Sequence, residues 1–222
     1  MDQFKVRVGL IKVLIEYAKV SIKNYYSILI AVIFTSVLFV FLPEIANDNS
    51  VISIIINILL AIVSGISLVV LCNIISKAKI IPNKNDVVIT IIMALVYWFA
   101  NSSLVVLASI FPAYKSAIAT ILPIIIDITF MFYLSKNVII KTRRVTNGRD
   151  MIFLLKYGIL YYFLRIVSII LIGIALRSII GGQDGTRYLP AIGNMIRLLF
   201  IPVVFYYFHF IENKEKEIGS II

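Results

Sequence analysis

One aspartate and two arginines, Asp127, Arg165 and Arg197, lie inside runs otherwise built mostly of Ile, Leu, Val, Ala and aromatic residues. An ionised group in hydrocarbon costs about 2.5 to 3.5 kcal/mol on insertion scales, so each needs a partner or a task. Counted from the ends of their apolar runs, Asp127 and Arg165 both arrive near the middle of the membrane. A short connection makes their helices antiparallel neighbours, so the two can pair and remove two lone charges from lipid. Arg197 is shallower, about eight residues into the last run, and Asn194 precedes it by one helical turn on the same face. Asn101, Ser102 and Ser103 interrupt the third run slightly to one side of its centre.

These residues can line one polar cleft, and the charge excess tells what it would bind. Two arginines against one aspartate leave a cation that seeks a carboxylate, a phosphate or a peptide C-terminus. The competing reading is a helix bundle held by a buried ion pair and interhelical hydrogen bonds, each contributing about 0.6 to 2 kcal/mol.

Nucleophilic chemistry has a narrower basis. The single cysteine, Cys72, and the single histidine, His209, fall at comparable depth near the same ends of the second and sixth runs, which is the pairing an intramembrane cysteine peptidase needs. Against this, a lone cysteine in a membrane helix is ordinarily a packing residue, and His209 sits in the aromatic belt Phe205, Tyr206, Tyr207, Phe208, Phe210. No HExxH, GxSxG or paired intramembrane acids occur. The Gly181, Gly182, Gln183, Asp184, Gly185 loop lacks a following Lys-Thr and reads as a turn. No metal set or cofactor is expected.

The elements that must position these groups are six apolar runs, at about 25–42, 51–75, 87–111, 117–136, 152–176 and 189–211, each near the ~20 residues needed to cross a bilayer. With 61% hydrophobic residues and a mean hydropathy of +1.05, no segment is polar enough for a separate soluble domain. The fold class is an all-α integral membrane protein: an amphipathic helix within 1–24, a six-helix bundle over 25–211 and a short tail, 212–222. In the first segment Phe4, Val8, Ile11, Ile15, Ala18 and Ile22 recur at helical spacing, with lysines on other faces, as in a helix lying along headgroups.

Orientation follows the basic residues. Lys5, Arg7, Lys12, Lys19 and Lys23 precede the first run; Lys77, Lys79 and Lys84 lie in the second connection; Lys136, Lys141, Arg143, Arg144 and Arg149 in the fourth; and Lys214 and Lys216 in the tail. The other face has only Lys115, Arg177 and Arg187, with Glu44, Asp48 and Asp184. Both termini are therefore expected in the cytoplasm. The net charge of +10 is then a topology signal and an attraction for anionic lipid headgroups, not for nucleic acid. Abundant Ile, Asn and Lys suit a bacterial chain, and the expected location is the cell membrane. Pro123, Pro190 and Pro202 permit kinks, while Ser64 with Gly65, Gly158, Gly173 and Gly193 mark close helix approach.

The functional expectation is a non-enzymatic, transporter-like or export-associated subunit whose Asn101, Asp127, Arg165, Asn194 and Arg197 bind an anionic group, beside another membrane or cytoplasmic subunit. An immunity or partner-recruiting membrane protein is the alternative, and the Cys72–His209 peptidase the third.

Overall fold

The computed structural model describes residues 9–45, 50–76, 83–140, 147–180 and 188–219, and every regular element among them is helical. In chain order these are α1 (Leu10–Lys23), α2 (Tyr25–Ile45), α3 (Ser50–Ile75), α4 (Lys84–Ile110), α5 (Lys115–Leu134), α6 (Gly148–Ile180), α7 (Leu189–Phe200) and α8 (Pro202–Gly219). A 3₁₀ turn, Pro112–Tyr114, leads into α5, and a π turn, Ser135–Ile139, ends it. Phe4, Val8 and the basic residues Lys5, Arg7, Lys77, Lys79, Lys141, Arg143, Arg144 and Arg187 lie outside the described residues, as do Asp48, Asp184 and the glycine loop at 181–185.

Among the described residues, six segments are long and apolar enough to cross a membrane, the last formed by α7 and α8 together. The bundle's outer surface is correspondingly apolar: Val105, Phe99, Leu155, Ile159 and Phe163 are each more than 60% exposed. Helices that are hydrophobic on every face are stable where lipid, not water, is the solvent. The chain is a polytopic membrane protein.

The six spans form a ring. Each packs on the next, α2 on α3 through α6 on α7, and α7 closes the circle on α2. The sixth span then changes course. Pro202 has no N–H to offer the Leu198 carbonyl, and Val204 N–H turns back to the Ile201 carbonyl (3.0 Å). Below this break α8 passes through the middle of the ring, against α3, α5 and α1, and Ile201 through Phe208 are all buried except at the margins of single side chains. Above the break α7 keeps to the ring between α2 and α6, also touching α3. The interior is therefore filled with side chains of α8 in one half of the bundle and left without a central helix in the other.

The broken span leaves carbonyls that tyrosines satisfy. The Tyr17 hydroxyl donates to Leu199 O (2.6 Å), and the Tyr157 hydroxyl donates to Phe200 O. Tyr17 belongs to α1, which packs under the bundle against α2, α6 and α8; burial pushes its phenol above the ordinary tyrosine range. The face of α1 that meets the bundle carries Leu10, Val13, Leu14, Tyr17 and Val20. The expected stripe of Ile11, Ile15, Ala18 and Ile22 points the other way, with Ile11 74% and Ile22 70% exposed. Helix α1 is thus apolar on two faces, one spent on the protein.

Helix α6 starts on a reciprocal cap: Asn147 Oδ1 accepts from Arg149 N–H (3.0 Å) and Asp150 N–H (3.1 Å), and Asp150 Oδ2 accepts from Asn147 N–H (3.1 Å). Tyr207 of α8 donates to the same buried Asp150 (2.9 Å), which ties the start of α6 to the central helix.

Candidate functional site

The half of the ring without a central helix holds a cleft of about 710 Å³. Its walls come from six helices. Asn101, Asp127, Arg165, Asn194 and Arg197 all line it, together with Ser64, Tyr97 and Trp98. Leu189 and Pro190, at the first turn of α7, are at the mouth, and Arg197 is at the floor, about 12 Å deeper at 1.5 Å per residue. The mouth faces the end of the bundle away from α1, where α2 joins α3, α4 joins α5 and α6 joins α7.

Asp127 organises the floor. Its Oδ2 lies 3.0 Å from Arg165 Nη1 and accepts from the Tyr161 hydroxyl (3.2 Å); its Oδ1 accepts from the Tyr97 hydroxyl (2.8 Å) and lies 2.9 Å from Arg197 Nε. The last is an ion pair by distance only, because the Nε–H is not aimed at that oxygen. Arg197 Nη1 donates to Ser64 Oγ (2.6 Å), and the Ser64 hydroxyl in turn donates to Asn194 Oδ1 (2.9 Å). The network joins α3, α4, α5, α6 and α7 at one level.

The two arginines are held differently. Arg165 is 27% exposed on the wall, whereas Arg197 is 7% exposed, with its guanidinium 4.2 Å from the Tyr97 ring centroid and 5.3 Å from that of Phe130. A cation over an aromatic face gains about 2 kcal/mol or more when desolvated. That contact fixes the plane of the guanidinium without using its N–H groups. Among the described residues, Arg197 Nη2 and Asn194 Nδ2 are buried donors with neither a hydrogen-bond acceptor nor an ion-pair partner, whereas Arg197 Nε has the Asp127 carboxylate at 2.9 Å. A buried donor left unmade costs about 1 to 3 kcal/mol, and both belong to residues that line the floor.

Formally the floor holds two positive charges and one negative. Such a site can accept an oxyanion from the Arg197 and Asn194 donors. Asn101 stands higher on the wall with its Nδ2 donated to Tyr97 O (3.0 Å), outside the Asp127 network. Ser103 faces away and bonds Phe99 O (2.8 Å).

Cys72 and His209 lie in the other half. Cys72 is fully buried in the main core, while His209 stacks on Phe205 at 5.6 Å and shares a hydrogen bond with Asn213 (3.1 Å). No hydrogen bond joins the thiol to the imidazole among the described residues, and the described residues include no cluster of three metal-ligating side chains.

Tyr97, Tyr161 and Ser64 are the partners that reading the sequence for charge overlooks. A signal exists for the tyrosines: Tyr97 is one turn from Asn101 and Tyr161 one turn from Arg165, on the same helix faces. Ser64 reads as a small packing residue and turns out to bridge Arg197 and Asn194.

Compared with known protein families, curated proteins and solved structures, the chain matches none of them.

Proposed function

We propose that this chain is a non-enzymatic, transporter-like or export-associated membrane subunit that takes an anionic group into the cleft from the non-cytoplasmic side. One observation carries the reading: two buried donors, Arg197 Nη2 and Asn194 Nδ2, stand without acceptors at the floor of a roughly 710 Å³ cleft whose fixed charges leave one positive charge over. A bundle merely glued by an ion pair would be expected to spend those donors on its own helices.

The sidedness rests on the basic residues of the sequence, concentrated at the α1 end of the bundle. The single-cysteine variants Ser102→Cys and Gly193→Cys, in a Cys72→Ser background, test both parts in whole cells. The proposed function expects a membrane-impermeant thiol reagent to label both positions from outside. Protection of both, with normal labelling of a cysteine at position 113, would mean that the cleft is closed to water and its charges serve packing alone.

A further inference from the structure

Resting on the anion-binding reading, we infer that the ligand is an amphiphilic monocarboxylate: an organic molecule whose carboxylate meets Arg197 and Asn194 at the floor and whose apolar body fills the cleft toward its mouth. Three observations converge on this class.

The first is charge. Asp127 cancels one of the two arginines, so one negative charge completes the site and two would overshoot it. The second is size. A water occupies about 30 Å³ of liquid, so a halide or a lone small oxyanion would fill only a small part of about 710 Å³, whereas cavities of this size suit ligands of drug-like dimensions. The third is the distribution of polarity. The charged groups gather at the floor, while the wall above them is mostly apolar, with Phe39, Ile54, Leu60, Val105, Ile169 and Leu189 around the few amides and hydroxyls of Asn57, Asn101 and Ser102. A ligand polar along its whole length would strand most of its groups against that wall. A carboxylate also suits the donors, since its two oxygens can accept from Arg197 and Asn194 at once.

The cleft contains its own reporter. Trp98 lines it and is the only tryptophan of the chain, so intrinsic fluorescence reads the site directly. The full-length protein in lipid nanodiscs is titrated with octanoate, acetate, octylammonium and octanol. Octanoate is expected to give a saturable change and to bind at least about tenfold more tightly than acetate, because each methylene removed from water gains about fourfold. Octylammonium and octanol are expected to give no saturable change. Asn194→Asp, which replaces one open donor with a negative charge, is expected to weaken octanoate at least about tenfold; should that variant fail to fold, the comparison of ligands on the parent protein decides alone.

Equal affinity for acetate and octanoate would leave the anion site standing and overturn the amphiphile. Equal saturable binding of octanol and octylammonium would overturn both, since the charge would then play no part. Silence from all four, in protein whose Gly193→Cys variant labels from water, would overturn the monocarboxylate while leaving a hydrated cleft.

Discussion

Replacing Asp127 by Asn keeps its shape and removes the only negative charge at the floor of the cleft. Two arginines would then face each other across a neutral amide, 3.0 Å and 2.9 Å from its former oxygens. Breaking a buried pair by removing one partner costs about 3 to 5 kcal/mol. For a chain of 222 residues, at about 2 to 4 °C per kcal/mol, that is a fall in unfolding temperature of roughly 6 to 20 °C. The assay is thermal unfolding of detergent-solubilised protein, followed by the loss of the monodisperse peak in size-exclusion chromatography. Arg165→Gln alone is expected to cost only about 1 kcal/mol, because that arginine is 27% exposed and keeps access to polar surroundings. The double variant Asp127→Asn/Arg165→Gln restores the balance of one charge in excess and is expected to recover at least half of the lost stability. An Asp127→Asn protein that unfolds within about 2 °C of the parent would refute the role of Asp127 as counter-ion to both arginines, as would a double variant no more stable than the single.

Tyr157→Phe removes the donor to Phe200 O at the break of the sixth span and is expected to lower stability by about 0.6 to 1.7 kcal/mol, measurable in the same unfolding assay. Gly65→Ala is expected to be nearly neutral, since a Cβ there meets Ala94 Cβ at 3.4 Å, whereas Gly65→Leu must force α3 from α4 at about 1 to 3 kcal/mol. At Gly158 the contact of an added Cβ is closer, 2.9 Å, but with the terminal methyl of Ile128, which can turn aside; Gly158→Ala is therefore expected to cost less than about 1.5 kcal/mol in that assay. Cys72→Ala is expected to leave octanoate binding unchanged, and the parent Cys72 to resist thiol reagents until the protein is denatured, because the side chain is fully buried. Loss of function in Cys72→Ala with binding and folding intact would return attention to the thiol.

How much of this molecule is legible in its sequence depends on the physical range of each signal. Hydropathy over ~20 residues needs no tertiary information, and the six spans follow from it because lipid imposes one length and one composition on every crossing helix. Depth is nearly as accessible: counting residues at 1.5 Å each brings Asp127 and Arg165 to the same level, and they stand 3.0 Å apart. Lateral arrangement is not legible in this way. That α7 would keep to the ring while α8 takes its centre depends on which helices pack around Pro202, and a proline announces a bend without its direction. Helix α1 makes the same point, since its spacing fits two apolar stripes and only the presence of α8 decides that Val13 and Tyr17, not Ile11 and Ile15, turn inward. The cleft is a consequence of that undirected bend. With the sixth span straight and central throughout, its side chains would occupy the space between Tyr97, Arg165 and Asn101, and the two unpaired donors at the floor, Arg197 Nη2 and Asn194 Nδ2, would have helix around them. The break moves Arg197 from the axis to the wall, and a charge that length and hydropathy could only place at a depth becomes one that faces a space.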